Sequence, residues 1–298
     1  MVVDAGGDVL VEHRVATPMG RVALTEVVAE VVTGLRRSVG DVSAVGVGVA
    51  GLVDHLGVLR FAPNLPGVVG LDLGASLARA VGLPVRVDND ANCALWAEHR
   101  RGAGQGASDV LLVTLGTGIG GGLLLGGRLV RGAAGFAGEV GHMVVEPDGP
   151  ECGCGQRGCW ERYASGSALS AWGRAEAATE RGSRLAALGG GVPEAVRGEH
   201  VTAAAAEGDP TSLAIVDRFA GWVALGLANL VHILDVERCL IGGGLIEAGE
   251  VLLGPVQQAF LARVMAPEHR RALRIQAAEL GEHAGAIGAA LLATEASG

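Results

Sequence analysis

The chain contains no lysine, and all 23 of its basic side chains are arginines. Its 32 aspartates and glutamates outnumber them, which gives a formal net charge of −9. No run of basic residues occurs either, whereas a surface that binds nucleic acid needs clustered arginine or lysine. We therefore expect no nucleic-acid partner.

Aromatic residues are also scarce, at 3% of the 298 residues. The apolar fraction is nevertheless 49%, so small aliphatic side chains supply the core and no disulfide staple is needed. The N-terminus has no basic segment followed by an apolar run, and glycine or charge interrupts the longest apolar stretches before they could span a membrane. These features predict a cytoplasmic protein with no membrane partner, and the length favours two domains.

Apolar residues at strand spacing and at helix spacing follow one another along the chain. The predicted strands form a hairpin over 2–15 and then occupy 44–54, 84–87, 109–130, 238–245 and 274–280. The predicted helices occupy 21–38, 73–81, about 90–101, 249–264 and 284–296, with a mostly helical stretch at 165–233 that loosens at 187–200. A hairpin followed by alternating strands and helices occurs twice, so the predicted fold is α/β with two lobes.

Glycines follow a predicted strand in the segment LGTGIGGG at 115–122. Such a turn can aim backbone N–H groups at an anion, as phosphate-binding loops do, and Thr117 adds a hydroxyl donor. A plain glycine-rich hairpin is the alternative, because no Gly-Lys-Ser/Thr follows. The segment IGGGL at 241–245 is a second strand-to-glycine junction, where a base or ribose could lie against bare backbone.

The segment VDNDAN at 87–92 lies between a predicted strand and a predicted helix. Aspartate and asparagine commonly cap a helix by accepting from its first N–H groups, and that role alone would explain them. The other interpretation places Asp90 at the carboxyl end of a strand as a general base toward a hydroxyl group, with Asn89 orienting the same substrate.

Three of the five cysteines, Cys152, Cys154 and Cys159, lie close together in the segment CGCGQRGC. This spacing is too tight for an ordinary disulfide framework and suits metal ligation in a reducing compartment. His142, ten residues upstream, is the natural fourth ligand for zinc, and a closed set of four ligands makes the metal structural. Reduced cysteines beside an unrelated histidine are the alternative. The remaining cysteines are predicted to be small core residues: Cys93 and Cys239.

Glu139 and Glu161 flank the same segment, three residues before His142 and two residues after Cys159. A solvated charge is the default role of a glutamate. A rigid turn closed by a metal could instead aim both carboxylates at the hydroxyl groups of a sugar.

Together these segments resemble the ROK (repressor, open reading frame, kinase) family. The resemblance is carried by LGTGIGGGLLLGGRLVRGAAGFAGEVGH followed by CGCGQRGCWERYASG, and by APNLPG, GLPVRVDNDANCALWAE and IGGGL. It extends from about residue 2 to about residue 292, and within the family the chain is similar to the glucokinases of actinobacteria.

The resemblance implies an actin-like ATPase fold of two ribonuclease-H-like lobes with a cleft between them. It implies ATP-dependent phosphorylation of glucose at the 6-hydroxyl, with Mg²⁺ on the phosphates and Asp90 as the base. The implied sugar contacts are Asn64, Asn89, Asp90, Glu139, His142 and Glu161. The implied ATP contacts are Gly116, Thr117, Gly118, Gly242, Gly243 and Gly244. The implied ligands of a structural zinc ion are His142, Cys152, Cys154 and Cys159.

The small lobe is expected to comprise residues 1–91 and 285–298, and the large lobe residues 92–284 with the zinc-binding loop 142–159. Family members begin with a strand that carries an Asp-x-Gly-Gly-Thr-Lys phosphate loop, whereas MVVDAGGDVL matches the second strand. About fifteen further residues are therefore expected upstream. Without that central strand its neighbours keep unpaired backbone groups, so we expect the chain as printed to fold poorly and to phosphorylate little.

Three functions remain open from the sequence. The first is a hexose kinase acting on glucose, with another hexose or an N-acetylhexosamine as the alternative substrate. The second is a sugar-responsive transcriptional regulator, although such family members carry an N-terminal winged-helix domain and this chain is acidic. The third is a sugar-binding protein that has lost kinase activity with the phosphate loop. A homodimer or homotetramer is implied by the resemblance alone.

Overall fold

The computed structural model of the chain describes residues 1–62, 65, 67–180, 183–270 and 273–295. Asn64, which the sequence predicts to contact a sugar, lies outside these residues. Strands and helices alternate through most of the described chain, which confirms the predicted α/β class.

The strands of the described residues are β1 (Val2–Val3), β2 (Val9–Val11), β3 (Val45–Val49), β4 (Leu52–Val53), β5 (Val58–Phe61), β6 (Leu71–Asp72), β7 (Val85–Asn89), β8 (Val110–Leu115), β9 (Ile119–Leu125), β10 (Arg128–Leu129), β11 (Arg238–Gly242) and β12 (Arg274–Ala277). The α-helices of the same residues are α1 (Arg21–Val39), α2 (Leu73–Val81), α3 (Asp90–Arg101), α4 (Glu161–Ala164), α5 (Gly166–Thr179), α6 (Arg184–Leu188), α7 (Gly198–Ala206), α8 (Pro210–Leu234), α9 (Glu250–Leu261) and α10 (Ala284–Glu295).

The chain forms two compact units. The first comprises Met1–Ser108, Gly122–Gly138 and Glu279–Gly298, and the second comprises Asp109–Gly121 and Glu139–Ala278. Each unit therefore gathers segments that are far apart in the sequence, and β9 begins in the second unit and ends in the first.

The predicted domain boundary after residue 91 would cut α3, whereas these units do not divide that helix. The structure keeps the whole helix in the first unit. The fully buried side chain of Glu98 accepts hydrogen bonds from the N–H groups of Ala103 at 2.9 Å and Leu280 at 2.8 Å. Gly288 of α10 packs against the backbone of Cys93, where a Cβ atom would not fit. Residues 92–108 and 279–284 therefore stay with α10.

The strands of the first unit that precede α3 form three small sheets. β1 and β2 pair as an antiparallel hairpin, which confirms the hairpin predicted over 2–15, β4 to β6 are antiparallel, and β3 pairs parallel with β7. The single strand predicted over 44–54 is wrong, because the chain leaves β3 and continues in another sheet as β4. Gly51 makes this possible, since its φ is 144° and a Cβ atom there would collide with the carbonyl oxygen of Phe61.

A buried apolar cluster holds strands β3 to β7 against α1 and α2. Leu59 and Leu77 are completely buried in it, and Val87 contributes from β7. Because side chains alternate between the faces of a strand, Val87 faces this core while Asp88 belongs to the opposite face. The end of β7 is therefore fixed by packing just before Asn89 and Asp90.

In the second unit, β11 lies between β8 and β12 and is parallel to both. Ile241 pairs with Val113 and Gly242 with Thr114, so β8 and β11 end at the same edge of the sheet. Parallel strands present their carboxyl ends together, which is where α/β proteins place ligands. Both glycine-rich segments noted in the sequence therefore follow strands that end side by side.

Helix α8 is long and apolar enough, by length and composition, to cross a membrane, with a mean hydropathy of 1.4 over its most apolar window. The expectation that glycine or charge interrupts every apolar stretch before it could span a membrane is therefore wrong for α8. However, 56% of that window is buried inside the protein, and a core helix meets the same criterion. The buried stripe recurs at helical spacing and comprises Val216, Phe219, Val223, Leu227 and Val231.

Candidate active site

The glycine segment after β8 is held by the first residues of α5. The N–H of Gly166 donates to the carbonyl of Gly116 at 2.7 Å, and Ser167 Oγ donates to the carbonyl of Thr117 at 2.7 Å. Among the described residues, the N–H groups of Thr117 and Gly118 have no hydrogen-bond partner. A turn with tethered carbonyls and available N–H groups suits an anion, so the phosphate-loop interpretation is favoured over a plain hairpin.

A cavity of about 780 Å³ opens beside this turn, entirely within the second unit. Gly116, Thr117 and Gly244 line it, which brings together residues from both predicted glycine segments. Its volume falls in the range of about 300–1,000 Å³ that is usual for small-molecule sites. The cavity is therefore large enough for a nucleotide.

Gly243 explains how the two glycine segments can approach so closely. Its φ is 86°, and a Cβ atom there would collide with the backbone of Leu115, the last residue of β8. Only glycine combines this left-handed conformation with this contact at low cost. Gly244, by contrast, has nothing within 4 Å of its Cβ position.

Several polar residues that no sequence motif marks also line this cavity. Ser167 and Ser170 come from α5, Arg174 lies one turn further along that helix, and Arg197 precedes α7. Ser170 Oγ accepts a hydrogen bond from the N–H of Gly198 at 2.8 Å, which holds the start of α7 at the cavity wall. No motif marks these residues, because only the packing of α5 against α7 brings them to the glycines.

The four predicted metal ligands lie together. The ligand atoms of His142, Cys152, Cys154 and Cys159 all lie within 4.8 Å of one another. His142 Nδ1 is 3.6 Å from Cys152 Sγ, and Cys154 Sγ is 3.6 Å from Cys159 Sγ. Tetrahedral zinc, with bonds of about 2.1 Å to nitrogen and 2.3 Å to sulfur, separates its ligands by about 3.6–3.8 Å. The donor set and its spacing therefore fit zinc.

Glycines shape the loop that carries the thiols. The N–H of Cys152 donates to the carbonyl of Gln156 at 2.8 Å, and Gly155 closes this turn with a φ of 91°. Gly158 has a φ of 69° and lies against the carbonyl of Glu146, where a Cβ atom would not fit. These contacts bring Cys159 back beside Cys152 and Cys154 without a disulfide. All five cysteines of the chain are free.

Two glutamates adjoin this cluster, as the sequence predicted. Glu139 Oε2 lies 3.9 Å from His142 Nε2, the ring nitrogen that faces away from the thiols. Glu161 Oε1 lies 3.8 Å from His142 Nδ1 and accepts a hydrogen bond from Cys152 Sγ at 3.0 Å. Glu139, His142 and Glu161 are thus neighbours in the second unit and could bind adjacent hydroxyl groups of one ligand.

Asn89 and Asp90 lie in the first unit, at the junction of β7 and α3. Asn89 caps the helix, since its Oδ1 accepts from the N–H groups of Ala91 at 2.8 Å and Asn92 at 3.2 Å. Its Nδ2 donates to the carbonyl of Gly51 at 3.2 Å. The capping interpretation is therefore confirmed for Asn89, and its amide is engaged by the protein itself.

Asp90 differs, because its side chain remains accessible to solvent. Neighbouring protein atoms nevertheless displace part of its hydration and raise the pKa of the carboxyl above its ordinary value. The N–H of Ala91, which donates to Oδ1 at 2.9 Å, opposes this shift only in part. An accessible carboxylate with a raised pKa is suited to accept a proton from a substrate.

Asp88, which was not among the predicted site residues, stabilises the junction of β7 and α3. Its Oδ1 accepts from the N–H of Asn89 at 2.9 Å and from Asn92 Nδ2 at 3.1 Å, and its Oδ2 accepts from Arg131 Nε at 2.8 Å. The signal that could have found it is its strand position, because a charged residue next to the buried Val87 needs a partner. That partner, Arg131, lies more than forty residues away in the sequence.

The fold and this set of segments define an actin-like ATPase. Residues 1–296 match the ROK family, and the chain belongs to that family. It is 41% identical to the glucokinase of Streptomyces coelicolor over 99% of this chain and 93% of the relative.

Two solved structures of family members are similar to this chain. A ROK family glucokinase from Streptomyces griseus, solved with glucose and AMPPNP, is 42% identical, with a TM-score of 0.89 over 98% of this chain and 94% of the other. A ROK family transcriptional regulator, a homolog of the E. coli MLC protein, is 27% identical with a TM-score of 0.87, but this chain covers only 73% of it.

Proposed function

We propose that this chain is an ATP-dependent kinase that transfers the γ-phosphoryl group of ATP to the 6-hydroxyl of glucose. The observation that carries the proposal is Asp90, an accessible carboxylate with a raised pKa at the end of β7. It occurs in a chain 42% identical to a glucokinase that was solved with glucose and AMPPNP. The coarser class, a hexose phosphotransferase, follows from the same relatives.

Asp90 acts as the general base in this reaction. It accepts the proton of the 6-hydroxyl while that oxygen bonds to the γ-phosphorus, and the bond from phosphorus to the β,γ-bridging oxygen breaks to release ADP. A raised pKa makes the Asp90 carboxylate a better proton acceptor. Asp88 and Arg131 hold the backbone from which Asp90 projects.

The sugar hydroxyl groups are bound by carboxylate and imidazole groups. Glu139 and Glu161 accept hydrogen bonds, and His142 uses Nε2, since Nδ1 faces the thiols. Asn89 supports the sugar through its remaining amide hydrogen, and Asn64 belongs to the same proposal from the resemblance alone. Binding by several fixed groups orients the 6-hydroxyl, which is the main contribution that proteins make to phosphoryl transfer.

The cavity of the second unit accommodates ATP. Gly116, Thr117 and Gly118 contact the phosphates, and the glycines Gly242, Gly243 and Gly244 contact the adenosine. Support comes from the tethered turn, from its available N–H groups and from the cavity beside it. Mg²⁺ is expected with the nucleotide, because it neutralises charge on the β- and γ-phosphates in this class of reaction.

Zinc, held by His142, Cys152, Cys154 and Cys159, would be structural, because four protein ligands leave no open position for a substrate. The thiol set also favours a reducing compartment, which supports a cytoplasmic location. A role in glycolysis is part of the same proposal, because the proposed product is glucose 6-phosphate. Assembly as a homodimer or homotetramer is a further expectation from the family resemblance.

The test is a coupled assay that measures ADP formation from ATP with glucose, other hexoses and N-acetylhexosamines, with identification of the phosphorylated position by NMR. We expect glucose 6-phosphate as the main product. Glucose binding without ADP formation would contradict the proposal and favour a regulator or an inactive sugar-binding protein.

A further inference from the structure

A second cavity, of about 360 Å³, lies entirely within the first unit and shares no lining residue with the cavity beside the glycine segments. It opens along β7, between the turn 54–57 that follows β4 and the segment 131–135 that follows β10. Its volume falls in the range of about 300–1,000 Å³ that is usual for small-molecule sites. The proposed kinase reaction assigns no role to this cavity.

Close contacts hold the two walls of this cavity together. His55 Nε2 donates to the carbonyl of Gly132 at 2.9 Å, across 77 positions of the sequence. Gly135 lies against β4, where a Cβ atom would be only 2.5 Å from the carbonyl oxygen of Val53. The cavity is therefore bounded by fixed contacts between distant segments of the folded unit.

The two carboxylates that line the cavity are both engaged. Asp54 Oδ2 accepts from Arg60 Nε at 2.7 Å, and its Oδ1 accepts from the N–H groups of two residues in the same turn. Asp88 Oδ2 accepts from Arg131 Nε, and its Oδ1 accepts from two further donors. Each carboxylate is thus paired with an arginine of its own.

Arg86, which also lines the cavity, has no such partner. It is half-buried on β7, two residues before Asp88, and therefore belongs to the same face of the strand. Asp88 is already paired with Arg131, and Arg86 forms no hydrogen bond or ion pair with the part of the chain that the structure describes. A partly buried cation without a counterion is costly, so the cavity favours an anionic ligand.

Arg131 also retains hydrogen-bond donors. Its Nη2 is shielded from solvent and lies 2.8 Å from Asp88 Oδ2, but the hydrogen bond to that oxygen comes from Nε, and Nη2 has no hydrogen-bond partner among the described residues. A guanidinium group carries five N–H donors in a planar fork, and one of them satisfies Asp88. The others suit the oxygens of an anion, which accept strong charge-assisted hydrogen bonds.

We propose that this cavity binds a small phosphate-type oxyanion through Arg86 and Arg131. The pairs Asp54–Arg60 and Asp88–Arg131 are each balanced in charge, so Arg86 supplies the excess positive charge of the lining. The oxygens of a tetrahedral anion point in different directions, and so they can accept from two guanidinium groups on different segments. The ligand is either inorganic phosphate or the phosphate group of a small monoester, for which the cavity has room.

The first test titrates the protein with inorganic phosphate at constant ionic strength and measures binding by ³¹P NMR. Arg86→Met should weaken binding at least about tenfold, which corresponds to the loss of one charge-assisted hydrogen bond. Arg86→Lys, which keeps the charge without the fork, should bind more weakly than wild type and more tightly than Arg86→Met.

Arg37→Met is the control for this titration, because Arg37 is exposed on α1 and does not line the cavity. Its affinity for phosphate should stay within about twofold of wild type. Circular dichroism checks that every variant is folded. No binding by the wild type would overturn the proposal. Equal affinities of wild type and Arg86→Met would also overturn it, because phosphate bound at the glycine segment of the second unit does not depend on Arg86.

The second test leaves both arginines in place. Gly74 lines the cavity, and a Cβ atom there would meet no atom closer than 3.7 Å, so a side chain can be added without a collision at Cβ. Gly74→Asp adds a negative charge to the wall, whereas Gly74→Asn adds the same shape without charge. Phosphate should bind Gly74→Asp at least about tenfold more weakly than Gly74→Asn. If the two variants bind phosphate equally well, the cavity does not select anions and the proposal fails.

The source of the phosphate group is distinguished by titration with glycerol 3-phosphate and with glycerol. Tighter binding of the ester than of inorganic phosphate would identify a monoester as the ligand, and the reverse order would identify the free ion. Glycerol that binds as tightly as its phosphate ester would overturn the proposal. All these titrations are made without ATP or glucose, so their failure is distinguishable from failure of the proposed kinase function.

Discussion

Arg131 Nε donates a hydrogen bond to Asp88 Oδ2 at 2.8 Å, while Oδ1 of the same carboxylate accepts from the N–H of Asn89 at 2.9 Å. The side chains are 22% and 9% exposed respectively, so solvent screens the pair only weakly. Through the Asp88 carboxylate, Arg131 is thus linked to the backbone N–H of Asn89, the residue that precedes Asp90. The carboxylate two residues before the proposed base is therefore paired with a cation.

Arg131→Met should lower the free energy of unfolding by about 2–3 kcal/mol, because it leaves Asp88 shielded from water without its cation. Urea denaturation measures the change. Arg157→Met is the control, because its pair with Glu151 is 55% and 84% exposed and should contribute less than about 1 kcal/mol. Equal decreases in the free energy of unfolding for the two variants would show that the Asp88–Arg131 ion pair is no more stabilising than an exposed one.

Asp90→Asn should lower kcat by at least about 10²- to 10⁴-fold, the usual contribution of a general base, while glucose still binds. The amide keeps the shape of the side chain but does not take up the proton. A coupled assay measures turnover, and calorimetry measures glucose binding. Asp41→Asn, which changes an exposed carboxylate, should behave as wild type. Normal turnover in Asp90→Asn would remove Asp90 from the role of base.

The value of kcat/KM should decrease at low pH because Asp90 becomes protonated. The base must be ionised, so activity is present above the pKa of Asp90 and is lost as the pH falls through it. Because the surrounding protein raises this pKa, activity should begin to fall at a pH above the ordinary aspartate value of about 3.9. A profile that stays flat down to that ordinary value would contradict the assignment. Any activity that remains in Asp90→Asn should not show this decrease at low pH.

Purified protein should contain about one zinc ion per chain, and Cys154→Ser should lose it, because three ligands hold zinc far less tightly than a closed set of four. Elemental analysis measures the content. Cys93→Ala is the control, since Cys93 is completely buried in the first unit and should leave the metal in place. Equal zinc content in both variants would contradict the assignment of the ligands.

Gly243→Ala should lower the free energy of unfolding by about 2–4 kcal/mol, because the new Cβ combines a left-handed backbone with a collision against Leu115. Thermal denaturation with and without ATP measures both stability and binding. Gly244→Ala places the same methyl group one residue later, in open space, and should change stability by less than about 1 kcal/mol. If the two variants are equally stable, the close approach of the two glycine segments is not as described.

Much of the candidate site could be predicted from local sequence, because its chemistry resides in closely spaced residues. Cys152, Cys154 and Cys159 lie on one short loop, and two glycines with positive φ bring their thiols together. Capping of α3 by Asn89 was one of the two roles predicted for the segment 87–92. Such features depend on neighbours within a few residues, so spacing alone indicates them.

Other features could not be predicted, since they depend on contacts between distant segments. The strand predicted over 44–54 breaks at Gly51 because of Phe61, and α3 belongs to the first unit because Glu98 bonds to Leu280. Arg131, as the partner of Asp88, has no signature in the sequence.

The sequence by itself determined the α/β class, because that class follows from periodicity. It also indicated the proposed metal-ligand set, through spacing within one segment, and the residue proposed as base, through the family resemblance. Only the tertiary structure brings the Glu161 carboxylate beside both Cys152 and Ile119, and only it makes β8 and β11 end side by side at one cavity. The physical reason is that hydrogen bonds and packing act over a few ångströms, whereas these residues are up to about 130 positions apart in the chain.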